Sequence, residues 1–242
     1  MMKFTIAILL SLIVLGQPKA QPLKITPLTG NFYIFTTYNN YKGTQVPANG
    51  MYLVTGPGVA MFDTPWDTTQ FQPLLDSIKA RHNKEVVLCI ATHSHEDRTG
   101  GLEYYKRQGI RTYTTEQTDS ISRMTGQKRA EFHLSPDATI TMGQYSFQTY
   151  YAGPGHTPDN IVIWFDKDKI LYGGCLVKSA EATDLGNLHD AVVSEWANTI
   201  KNIQTKFPHQ KFIIPGHNDW KNKQSLVHTL KLIKRYKKQN SK

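Results

Sequence analysis

Cysteine is almost absent from this 242-residue chain, which holds only Cys89 and Cys175. Two are too few for a disulfide-knit scaffold, which substitutes cross-links for core, and a Cys-rich zinc finger is equally excluded. Long apolar runs are also scarce. One extends from Phe4 to Gly16 behind Lys3, long enough for the apolar part of a secretory signal but short of the roughly 20 residues that span a bilayer. No second run reaches that length. Low-complexity stretches and linkers are missing too. With 39% hydrophobic and 11% aromatic residues, the chain is expected to form one domain with an ordinary core. Acids are the minority charge, 19 against 28 Lys and Arg, for a formal +9.

Residues 1–20 read as a cleaved signal and residues 21–242 as one exported domain, so a periplasmic location is expected. A cut after Gly16 or after Ala20 fits. No cysteine near the signal offers a lipid site, which predicts a soluble protein without a membrane anchor. The basic surplus is diffuse until Lys231, Lys234, Arg235, Lys237, Lys238 and Lys242 crowd the C-terminus. Such a run more often marks a solvated helix face than a polyanion site. Nucleic acid is therefore not an expected partner, and a monomer is.

Apolar or alternating runs at 32–38, 50–55, 58–62, 86–91 and 110–113 read as strands. The second half repeats the plan with strands at 139–142, 145–151, 161–165, 169–173 and 211–214. Helical spacing links Phe71, Leu74, Leu75 and Ile78, and a shorter helix is expected around Leu102 and Tyr105. Two more helices are expected near 194–206, with Ser194 as N-cap and Trp196, Ile200 and Ile203 on its apolar face, and near 224–238. Residues 36–50 have the turn chemistry of a hairpin with a long polar tip, placing Tyr38, Tyr41 and Val46 where they could cover a cleft. Strands in runs and then helices, twice over, predict a layered α/β fold.

Residues 90–101, IATHSHEDRTGG, set His93, His95 and Asp97 on alternate positions behind a strand. Three such groups cannot all face one core unpartnered, because that costs several kcal/mol. A metal resolves the problem, and so does a solvated loop. Three later strand ends add His156 in YAGPGHTPDN, Cys175 in LYGGCLVKS and His217 in FIIPGHNDW. Six ligand-type residues are two too many for one tetrahedral structural zinc, so two neighbouring metals fit better. The mixture of imidazole, thiolate and carboxylate suits zinc, whereas magnesium or calcium prefers oxygen. His82, His133, His189, His209 and His228 lack the strand-end setting and read as surface or satisfied core residues, with His189 the one to watch.

The set H-x-H-x-D at 93–97, G-H at 155–156, Cys175 with Lys178, and P-G-H at 215–217 resembles the metallo-β-lactamases of subclass B1. FDTPW at 62–66, GPGHTPDN at 153–160, GGCLVKS at 173–179 and Gly186-Asn187 extend the likeness over nearly the whole exported chain. The resemblance implies an αβ/βα four-layer sandwich with the metals at one edge, between two face-to-face sheets with helices outside. It implies two zinc ions per chain: His93, His95 and His156 on the first, Asp97, Cys175 and His217 on the second. The implied substrate is a small-molecule β-lactam, and the implied activity is hydrolysis of its amide, which confers antibiotic resistance. Lys178 would pair with the antibiotic carboxylate, Asn187 would stabilise the oxyanion, and Asp97 would orient the nucleophile or relay a proton. Asp63, Thr92 and Arg98 would orient ligands.

A thiolate on zinc excludes a bridge to Cys89, so both cysteines are expected reduced. The sequence departs from the family pattern at His189 and Asn218, where glycine is common, and both bear on loop shape. Thioesterases and phosphodiesterases of the wider superfamily usually place another histidine after the motif aspartate and use a bridging aspartate later; here those positions are Arg98 and Cys175. A protein that binds zinc or a polyanion without catalysis is the remaining alternative, and Lys178 and Asn187 argue against it.

Overall fold

The structure, a computed structural model, describes residues 23–240; the expected signal at 1–20 lies outside the described residues. Strands β1 (Lys24–Thr29), β2 (Phe32–Tyr41), β3 (Thr44–Val54), β4 (Val59–Phe62), β5 (Val86–Ile90), β6 (Arg111–Thr115) and β7 (Phe132–Leu134) form one sheet in chain order. Pairing is antiparallel from β1 to β4 and parallel from β4 to β7. A second sheet has the order β12 (Phe212–Pro215), β11 (Ile170–Gly174), β10 (Val162–Phe165), β9 (Tyr145–Tyr150) and β8 (Thr139–Met142). Only β11 and β12 pair parallel in it. The helices are α1 (Phe71–His82), α2 (Glu96–Thr99), α3 (Leu102–Arg107), α4 (Glu116–Thr125), α5 (Val193–Lys206) and α6 (Ser225–Gln239).

Strand periodicity of two sorts the apolar side chains into three cores. Phe32 and Ile34 of β2, Ala60 and Phe62 of β4, Ile163 and Phe165 of β10 and Tyr172 of β11 meet between the sheets. Their neighbours face outward: Phe35, Val59 and Met61 pack on Phe71, Leu74 and Ile78 of α1 and on Leu102 and Tyr105 of α3. On the other side, Val162, Trp164 and Leu171 pack on Trp196, Ile200 and Ile203 of α5 and on Leu226, Leu232 and Ile233 of α6. Three cores require four layers, helix, sheet, sheet, helix, as expected. Both faces of the central strands are apolar, which is why the sequence shows continuous runs there. Each buried Leu, Ile or Phe contributes about 1.5–3 kcal/mol.

The two sheets are stitched together at one edge. Asn49 N–H donates to the Gly216 carbonyl at 2.8 Å, and the Asn49 amide reaches the carbonyls of Pro215 at 3.1 Å and Asn218 at 2.9 Å. Ile161 N–H donates to the Thr92 carbonyl at 3.0 Å. The strand ends that carry the candidate ligands are thus fixed against one another.

One expectation is sharpened and one is corrected. The hairpin's exposed, mostly polar end at 40–45 is paired strand almost to its tip: β2 and β3 stay paired as far as Tyr41 and Thr44 and turn over Lys42 and Gly43, with φ of 51° and 80°. Two left-handed residues match the twist of the flanking strands. Ser194 is not the N-cap of α5. The helix starts at Val193 with Val192 as N-cap, because Val192 N–H is held by the Gly155 carbonyl while its own carbonyl accepts from Trp196.

Candidate metal centre

Every candidate ligand lies beyond the end of a strand. The β5 strand ends at Ile90, and Thr92 turns the chain by donating its N–H and hydroxyl to Asp63 at 2.7 and 3.0 Å. His93, His95 and Asp97 follow, the last inside α2. His156 sits in the loop after β9, Cys175 directly after β11 and His217 after β12. At Gly216 an added Cβ would lie 2.7 Å from the Cys175 sulfur, so the approach of β12 to β11 requires glycine there. Asn218 adopts φ 62°, a left-handed conformation that asparagine tolerates. Asparagine at this departure from the family pattern is thus compatible with the observed turn.

The six residues assemble into two adjoining groups. The rings of His93, His95 and His156 form a triangle, with centroids 4.9, 5.0 and 5.0 Å apart and interplanar angles of 74°, 90° and 84°. Beside them, Asp97 Oδ2 lies 3.1 Å from His217 Nε2, and the Cys175 sulfur lies 3.3 Å from His217 Nε2 and 3.4 Å from Asp97 Oδ2. Ligand atoms of His93, Asp97 and Cys175 also fall within 4.8 Å of one another, so the groups share a boundary. His82, His133, His209 and His228 stand apart from this cluster.

The donor chemistry fits metal. His93 Nε2 is buried without a hydrogen-bond partner, while its Nδ1 lies 3.3 Å from the Thr92 hydroxyl. Burial holds the pKa values of His93 and His156 well below the ordinary range, so both imidazoles are neutral and can donate a lone pair. His217 is lowered for the same reason. Burial alone would raise Asp97, but Arg98 and His217 outweigh it and hold the carboxyl well below its usual value. Burial pushes the Cys175 thiol up, so its proton must leave when it binds a metal.

Other side chains orient the ligands. His95 Nε2 meets Asp190 Oδ2 at 2.9 Å, and His217 Nδ1 meets the Pro47 carbonyl at 2.8 Å. Arg98, fully buried, donates to Asp97 Oδ2, to the Asn49 carbonyl and to the Gly216 carbonyl. Asp190, Asn49 and Tyr172 were not singled out from the sequence. Asp190 stands three residues past Asn187 in the glycine-containing loop, which was its only signal. The His189 side chain is 86% exposed and its Nδ1 meets Asp190 Oδ1 at 2.7 Å, in keeping with a surface role.

The cluster opens into a cavity of about 630 Å³ lined by Tyr41, Val46, Trp66, Lys178, Asn187 and Asn218 among others. Lys178 is 9% exposed, and its Nζ stands 5.3 Å over the Trp196 ring. Asn187 is exposed, and its Oδ1 accepts from His189 N–H at 3.2 Å, leaving the amide nitrogen for the cavity. Trp66 stands edge-on to His217, centroids 5.8 Å apart, and Tyr41 leans on Trp66.

The profile of the Metallo-beta-lactamase superfamily matches residues 43–217, which contain all six ligand-type residues. The chain belongs to the metallo-β-lactamases. It is 46% identical over 214 residues to the Metallo-beta-lactamase type 2 of Elizabethkingia meningoseptica, covering 88% of this chain and 86% of that protein. To Metallo-beta-lactamase IND-1 of Chryseobacterium indologenes it is 41% identical over 230 residues, covering 95% and 96%. The crystal structure of metallo-beta-lactamase IND-7 superposes with a TM-score of 0.86 at 41% identity, covering 90% of this chain and all of that one. Both cysteines are free, and Cys89 is a core residue against α1 and α3. No helix among the described residues is long and apolar enough to cross a membrane.

Proposed function

We propose that this chain is a zinc-dependent β-lactamase of the B1 type that opens the amide of penicillins, cephalosporins and carbapenems and so confers antibiotic resistance. The reading places one zinc on His93, His95 and His156 and a second on Asp97, Cys175 and His217. The observation that carries it is the pair of adjoining three-residue groups on the floor of one cavity, with Lys178 and Asn187 in its wall. When bound, zinc supplies a Lewis acid and water whose pKa is lowered to about 7.

The remaining chemistry belongs to side chains. The Asp97 carboxylate, held ionised by Arg98, orients the attacking water and carries its proton toward the departing nitrogen. The Asn187 amide donates to the carbonyl oxygen as negative charge builds there. Lys178 Nζ holds the substrate carboxylate as a point charge, and Trp66, Tyr41 and Val46 supply an apolar wall for the antibiotic's side groups. The run Phe4–Gly16 supports export, so the protein acts in the periplasm.

The test is hydrolysis of a penicillin, a cephalosporin and a carbapenem by the zinc-loaded protein, with and without chelator, beside a thioester and a phosphodiester. Chelator-sensitive lactam turnover is expected. Turnover confined to the thioester or the phosphodiester overturns the assignment.

A further inference from the structure

Sharing no lining residue with the catalytic cavity, a second cavity of about 470 Å³ opens elsewhere in the fold. Its walls come from the start of α4, the end of β7 with Ser135 and Pro136, and the chain from Tyr151 to Ile161. Asp159 lines it, is only 1% exposed, and has no hydrogen-bond partner on either carboxylate oxygen. A buried carboxylate left unpaired is costly, because water no longer solvates its charge. Burial first, and the nearby Asp159 carboxylate second, raise the Tyr151 phenol in the same wall, which donates to the Pro158 carbonyl at 2.9 Å.

We propose that this cavity binds a small organic cation, an ammonium or guanidinium carried on an apolar body, with Asp159 as its counter-charge. The lining selects among ligand classes. Asp159 and Glu116 repel anions. A neutral apolar molecule leaves the carboxylate unpaired. A calcium ion needs six to eight oxygen ligands, whereas Leu134, Pro136 and Ile161 present carbon to the same space. A cationic head on the Asp159 side of the cavity, with an apolar tail over Leu134, Ile161 and Tyr151, answers each of these constraints. The Arg129 guanidinium is already engaged, pairing with Asp119 through two hydrogen bonds, and His133 Nε2 lies 3.4 Å from the same carboxylate. Asp159 is three residues past His156, but the intervening loop is braced from within, because Asn160 accepts from Thr157 N–H and donates to the Gly153 carbonyl. The cavity is therefore a site separate from the catalytic floor.

The experiment titrates the zinc-loaded protein with benzylamine, with the neutral isostere benzyl alcohol and with calcium chloride, reading backbone amide NMR shifts. Benzylamine is expected to give saturable shifts at 115–117, 133–135 and 159–161, and benzyl alcohol is expected to bind at least about tenfold more weakly. Asp159→Asn, checked for an unchanged thermal midpoint, is expected to lose the benzylamine response. Equal binding of the two probes, shifts confined to the catalytic cavity, a response to calcium alone or no saturable shift would each overturn the proposal. The probe comparison uses the unmodified chain, so it decides the matter even where the variant folds poorly.

Discussion

The Tyr172 hydroxyl stands 2.7 Å from Asp63 Oδ2 and 2.9 Å from the Asn49 carbonyl, inside the core between the two sheets. It donates its one proton to the carboxylate, where Arg98 Nη1 also lies at 3.5 Å. Asp63 itself sits at φ 63°, a strained conformation for aspartate, and burial lifts its pKa to about 6. Tyr172 thus ties the strand that delivers Cys175 to the turn that delivers His93, with Arg98 relaying the same geometry to Asp97.

Tyr172→Phe should leave the buried carboxylate one donor short. The expected loss is about 1–3 kcal/mol of stability together with a weaker hold on the zinc proposed at Asp97, Cys175 and His217. Urea midpoints and chelator competition measure the two effects. An unchanged midpoint with unchanged metal affinity would show that the hydroxyl has no positioning role.

Stability of the metal-free protein should fall with pH below neutrality. Burial depresses the pKa values of His93, His156 and His217 in the folded state, whereas each imidazole in the unfolded chain titrates near 6.5. Between those values the unfolded chain binds more protons, so stability is present above about 6.5 and is lost as pH drops toward the folded pKa values. Urea midpoints of chelated protein at pH 7.5, 6.5 and 5.5 should decline in that order. A flat or rising series would contradict the burial of these imidazoles as neutral ligands.

Lys178→Ala removes a buried ammonium whose pKa is itself lowered by burial, so the fold should not suffer. Loss of a charge-assisted contact of about 1.5–3 kcal/mol predicts a fall of roughly ten- to 150-fold in kcat/KM for carboxylated β-lactams. Most of it should appear in KM. Full activity with intact affinity would remove Lys178 from substrate binding.

The layers and the six residues that gather at the candidate site were legible because both rest on strong local signals. Runs such as those ending at Ile90, Gly174 and Pro215 have apolar residues on both faces, which only a strand between two cores requires, and each ended in a ligand-type residue. Lys24–Thr29 went unread because Pro27 interrupts an edge strand that has only one neighbour. Glu116–Thr125 was missed because Thr118, Asp119 and Ser122, not apolar residues, face inward. Phe132–Leu134 is too short to show a period. At the site, Tyr172 read as one more apolar strand residue, since its role depends on Asp63, 109 residues earlier in the chain. No local pattern encodes such a distance. Asp190 depends likewise on a fold that brings it 95 residues back to His95.

The partition of ligands into two zinc sites on a hydrolytic floor is the central claim, and stepwise return of zinc to chelated protein tests it most directly. Penicillin hydrolysis and bound zinc are followed together in the unmodified chain and in Cys175→Ser. The account predicts no turnover without metal, recovery as zinc rises toward two per chain, and one tightly held zinc in the variant. Hydrolysis that survives complete zinc removal, or a variant that still holds two zinc ions as tightly, would contradict it.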